Sequence, residues 1–113
     1  MKWVQGTIAT AHFNFDDPPI RKERRGYVMD DGCFGVHRDG GAWVVTHLPT
    51  GMCLPCTDQP TRELATAMAE AVYAVDPKWW DRYGQGFGRG PKRKDSKRIA
   101  AVNAAVERQL GKR

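Results

Sequence analysis

The chain contains no apolar run approaching the ~20 residues that a membrane-spanning helix requires. Nothing after Met1-Lys2 resembles the apolar core of a signal peptide. These absences point to a soluble protein, most simply a cytoplasmic one. Cysteine is scarce: Cys33, Cys53 and Cys56 are too few and too unevenly spaced for the disulfide framework of a small secreted domain. They indicate a reducing compartment. No internal repeat is visible, and no GxSxG, HExxH or Walker-type loop occurs. His12, His37 and His47 lack a partner at motif spacing, and the carboxylates gather in turns and caps, where they serve local structure. The expectation is a protein with no catalytic residues and no small-molecule substrate.

What is present is enough for one folded domain. A length of 113 residues supports a modest core but not a deep cleft between lobes. Hydrophobic residues make up 41% and charged residues 27%, which separates the chain from the disordered class. The net charge of +5 is uneven. Residues 1–60 carry six basic and seven acidic groups, whereas residues 61–113 carry twelve basic and six acidic ones. Basicity concentrated in one part of a chain suits an acidic partner, with nucleic acid the commonest; a solvated, solubilising tail is the alternative.

Turn chemistry divides the first half into short strands. Trp3, Val4, Thr7 and Ile8 favour a strand at the start. Pro18-Pro19 and the charged run after them predict an exposed, irregular connection as far as Gly26. Three strand candidates follow, Tyr27–Met29, Cys33–Arg38 and Ala42–Leu48, separated by Asp-Gly turns, and Met52–Leu54 adds an edge. Centring the second turn on Gly40 would set Val36 opposite Val44, His37 opposite Trp43 and Cys33 opposite His47.

The period then changes. Leu64, Met68, Ala71, Val72 and Val75 form the stripe of an amphipathic helix over 60–75, with Asp58 as its N-cap. Asp76-Pro77 opens a short helix ending at Gly84, and Asp95 or Ser96 opens a last helix ending at Gly111. The fold class is α+β: an antiparallel meander covered on one face by the 60–75 helix, with a short helix and a C-terminal helix. Residues 1–83 form the sheet-plus-helix core, 84–94 a glycine-rich basic arm and 95–113 the C-terminal helix.

Several clusters could carry chemistry. The pair Cys53 and Cys56 forms a CxxC, and the Gly40-centred register would bring Cys33 and His47 near it. Three thiolates and an imidazole could close a tetrahedral zinc site and staple a small structural domain; the alternative is buried thiols and no cofactor. Thioredoxin-type redox chemistry wants the first cysteine at a helix N-terminus, whereas the helix here begins after Cys56. Adjacent Trp79 and Trp80 cannot face one core together, because successive helical residues diverge by about 100°. An exposed one would suit base stacking or a protein contact.

The segment GQGFGRGPKRK, Gly84 to Lys94, is the strongest candidate. Its glycines let backbone approach closely, and its basic residues suit a row of phosphates. The expected contact residues are Arg82, Phe87, Arg89, Lys92, Arg93, Lys94, Lys97 and Arg98, with Trp79 and Trp80 alongside. Lys97 and Arg98 fall in the first turn of a helix, where the dipole disfavours positive charge, a placement that a partner explains better than solubility does.

The stretch CFGVHRDGGAWVVTHLPTGMCL, with the alanine-rich helix after it, resembles short accessory proteins of bacteriophages and prophages. The likeness spans Cys33 to Val75 and contains no catalytic motif. It implies a binding protein at work in a bacterial host, of the kind that includes anti-CRISPR inhibitors and other counter-defence factors. It carries over no functional residue. Because this chain is basic, it departs from the acidic inhibitors that imitate DNA. An inhibitor of this kind would engage an acidic protein face or the nucleic acid held in a nucleic-acid-handling complex.

Overall fold

The computed structural model describes residues 2–13, 18–55, 57–90 and 95–112. Five strands come first: β1 (Trp3–His12), β2 (Ile20–Met29), β3 (Phe34–Asp39), β4 (Ala42–His47) and β5 (Met52–Cys53). Three helices follow: α1 (Arg62–Tyr73), α2 (Pro77–Asp81) and α3 (Ser96–Leu110). The strands make one antiparallel sheet in sequence order, so the fold is α+β, as the pattern predicts. Among the described residues no helix is long and apolar enough to cross a membrane.

Strand alternation sorts the side chains of β3 and β4 onto two faces. Phe34, Val36, Val45 and His47 point toward the helices, where Ala65, Met68, Ala69 and Val72 of α1 meet them in the main core. Val106 of α3 and Trp80 of α2 complete it. α3 therefore belongs to the same core as the sheet.

The other face is closed by the sheet itself. β1 and β2 form a long ribbon that curls until Ala11 N donates to Gly51 O (2.8 Å), bringing the first strand to the far edge. Ile8, fully buried, lies over Gly26 and Gly35. With Thr10, Val44, Thr46 and His37 it forms a second, smaller interior. The glycines matter here because any side chain at Gly35 would occupy the space that Ile8 fills.

Four local expectations are corrected. The charged run Ile20–Arg25 is strand rather than irregular connection, held by a full ladder to β1. The β3–β4 register is one residue away from the Gly40-centred one: Phe34 pairs with His47, Val36 with Val45 and His37 with Val44. The loop has two residues, Gly40-Gly41, and positive φ at the first of them (62°) fits a type II′ hairpin. α1 starts later than expected, with Thr61 Oγ1 accepting from Leu64 N, because Gln59 is drawn into a backbone bridge with Trp43. The short helix stops at Asp81, with Asp76 and Pro77 in the predicted cap and first positions.

The close approach of the ribbon gives a direct test. A Cβ on Gly26 would run into the Val36 carbonyl oxygen, which no rotamer change relieves. Gly26→Ala is expected to destabilise the protein by ~1–3 kcal/mol, the usual range for overpacking. A urea midpoint unchanged from wild type would show that the ribbon is not tightly seated on β3.

Candidate nucleic-acid interface

The Gly84–Gly90 segment is built rather than loose. Gly84, Gly86 and Gly88 have φ of 88°, 134° and 74°, conformations that side chains disfavour. These turns fold the segment into a miniature hairpin, with Arg89 N donating to Gly86 O (3.0 Å) and Gln85 N to Arg89 O (3.1 Å). The hairpin is seated on the Thr50-Gly51 turn: Gly88 N donates to Thr50 O (2.7 Å), and the Phe87 ring lies where a Cβ on Gly51 would be. Phe87 is half-buried by this seating, so it anchors the loop instead of projecting from it.

The loop also meets the ribbon. The Arg21 guanidinium sits 5.2 Å from the centroid of the Phe87 ring, a cation–π contact, and Gly88 packs on Pro19. Two basic segments some sixty residues apart in sequence thus share one surface. On β2, Arg21 and Arg25 share the face that meets the loop while Lys22 and Arg24 lie on the opposite one, and Arg82 and Arg89 come from the loop and its approach; all six are exposed. The ribbon's share was missed in the sequence because the acidic residues of 1–60 mask it in any net charge. Its local signal is RKERR, four cations around one Glu23.

The other expected contact residues divide. Lys97 is exposed at the start of α3. Arg98 is bound twice within the protein, its Nε to Asp76 Oδ2 (2.8 Å) and its Nη1 to Asp95 Oδ2, clipping the caps of α2 and α3 together. The guanidinium holds the Asp76 carboxyl below its ordinary range, and the Arg98 backbone N–H, followed by the same guanidinium, does so for Asp95. Lys92, Arg93 and Lys94 lie outside the described residues. Trp80, expected at the surface contact, is 2% exposed and offers no face to a partner. Its Nε1 donates to Val72 O (2.8 Å). Trp79 is half-buried against it and lines an apolar hollow of about 180 Å³ with Leu54, Tyr83, Ile99 and Val102.

Among the described residues, the candidate zinc ligands do not converge. Cys33 is buried, and its thiol is pushed up to about 12 by burial, then by Asp31 and Asp81. His47 pairs with Phe34 in the sheet, and both its nitrogens are engaged, Nδ1 with Thr50 Oγ1 (3.0 Å) and Nε2 with Trp80 O (3.1 Å). Cys53 is exposed on β5, and Cys56 lies outside the described residues. Among the described residues no three His, Cys, Asp or Glu side chains converge as a metal site. Comparison with family models, curated proteins and solved structures finds no match to this chain.

Two histidines carry a pH dependence. Burial pushes His47 below its ordinary value against the opposing Trp80 carbonyl bond, and burial does the same to His37 against Asp39. Protonation therefore favours the unfolded chain, whose imidazoles titrate near 6.5. The stability they confer is complete above that value and declines as pH falls below it. The urea midpoint is expected to drop between about pH 7.5 and about pH 5.5, and a His37→Gln/His47→Gln variant to respond less. Equal slopes in both proteins would exclude the histidines as the cause.

Proposed function

We propose that this chain acts by binding rather than catalysis, and that its partner is nucleic acid, free or held in a nucleic-acid-handling complex. The observation that carries this reading is the Arg21–Phe87 contact, which merges the basic ribbon and the basic loop into one positive surface. Ordered glycine turns let the loop backbone lie close to a phosphate row, while the strand holds its arginines at fixed spacing. Such a surface attracts polyanions without reading sequence.

A specific feature supports a second component. Phe13 and Ile20, which flank the end of the described ribbon, are 57% and 44% exposed, apolar side chains that a protein surface would cover. Together with the likeness of Cys33–Val75 to phage accessory proteins, this favours a role as a counter-defence factor that docks on a host complex and its bound nucleic acid.

Labelled RNA and double-stranded DNA titrated across a salt series test the proposal. Phosphate contacts predict a log affinity that falls with log salt by ~0.7–0.9 per contact. A variant with Arg21, Arg82 and Arg89 changed to glutamine should bind more weakly and with a shallower slope. Absence of binding at low salt would overturn nucleic acid as the partner and turn the search to an acidic protein face.

A further inference from the structure

We propose that a groove on the helix-facing side of the sheet takes unpaired nucleobases, so that the preferred ligand is single-stranded nucleic acid. This rests on the reading above that the partner is nucleic acid. Tyr27 of β2 and Trp43 of β4 stand at the open end of that face, ring centroids 6.3 Å apart and tilted by 43°. They wall a hollow of about 460 Å³ whose rim includes Arg38 and Arg62. On the other side of Tyr27 a recess of about 210 Å³ is bounded by Gln5 and Arg25, and a third of about 260 Å³ reaches Trp3. Tyr27 borders all three, Trp43 the first two, and Arg62 and Glu63 the first and third, so the hollows adjoin around the Tyr27 ring and are taken together as the groove.

Aromatic rings at the margin of a small core are commonly just its edge. Here the cations around them argue for more. Arg38 stands directly opposite Trp43 in the ladder, and its Nε reaches only the Gly40 carbonyl. Among the described residues neither Arg38 nor Arg25 forms an ion pair with a carboxylate. Arg62 lies over the Tyr27 ring at 4.3 Å and touches Glu63 only loosely, at 3.7 Å. Arg25 and Arg38 thus stand beside the rings with no carboxylate partner among the described residues, and Trp43 offers the ring face that Arg62 leaves uncovered, the combination that base stacking beside a phosphate backbone requires.

The groove is also continuous with the basic surface. Alternate residues of a strand share a face, so Tyr27, Arg25, Glu23 and Arg21 line one side of β2, at ~6.6–6.8 Å per step. Opposite the last three, on β1, stand Thr7, Ala9 and Ala11, residues too small to obstruct the path. A strand of nucleic acid could pass from the rings at Trp43 and Tyr27 along β2 to Arg21 and the loop. A duplex keeps its bases stacked inward and could use only the charges.

Binding of a thymidine oligonucleotide of about ten residues, and of a duplex of equal length, would be followed by fluorescence anisotropy and by tryptophan emission. The single strand should bind at least about tenfold tighter and quench emission; Trp43→Leu should lose the quenching and about tenfold or more in single-strand affinity, leaving the duplex unchanged. Should Trp43→Leu fold poorly, Arg25→Gln/Arg38→Gln, exposed positions outside the core, should weaken single-strand binding more than duplex binding. Equal affinity for both forms, or unchanged single-strand binding in both variants, would overturn the groove while leaving the basic surface intact. Failure of wild type to bind either form would overturn the parent reading as well.

Discussion

The structure turns on a buried turn. Thr50 and Gly51 are enclosed rather than displayed, and nearly every polar atom they carry is used. Thr50 Oγ1 pairs with His47 Nδ1 and accepts from Met52 N; Thr50 O receives Gly88 N; Gly51 O receives Ala11 N. Through His47 Nε2 the same turn is tied to the Trp80 carbonyl, and through Trp80 Nε1 to the end of α1. A turn that must satisfy so many partners without water tolerates little rearrangement, since each orphaned buried group costs about 1–3 kcal/mol.

That hub explains how a small chain covers both faces of its sheet. One face is packed by helices in the ordinary way. The other is closed by β1 returning to Gly51, with Ile8 set against glycines that leave it room. The ribbon tip and the glycine loop are both delivered to the turn, one by Ala11 and the other by Gly88 and Phe87. Their meeting is a by-product of core closure, and it assembles the positive surface.

Much of this was legible in the sequence because local chemistry decided it. Asp76-Pro77 and Asp95 cap their helices as written, and Met68 and Val72 of the predicted stripe enter the core, but Ala65 and Ala69 join them in place of Leu64 and Ala71, so the buried face is turned from the one expected. The ribbon was not legible, because Ile20–Arg25 has both faces near solvent and so shows no apolar alternation. The hairpin register differed by one because Gly40 and Gly41 allow two loop lengths, and only the packing of Phe34 and His47 against Trp80 chooses between them. For the site, the basic segment was visible as composition. Its docking on Gly51, and the capture of Trp80 and Arg98 by internal partners, depend on contacts between distant residues. The groove at Tyr27 and Trp43 gave no signal, since its rings and arginines come from separate elements.

β2 has a further property that follows from its pairing. Its ladder to β1 runs ten residues, but its ladder to β3 covers Tyr27 and Val28 alone. Among the described residues, its outer margin from Ile20 to Arg25 therefore presents backbone donors and acceptors without a strand beside them, the arrangement that recruits a second copy edge to edge. Four cations in six residues make such an approach repulsive. The charges proposed to draw a polyanion to the ribbon would thus also oppose polymerisation through it, and a bound polyanion would lift that protection along with the charge.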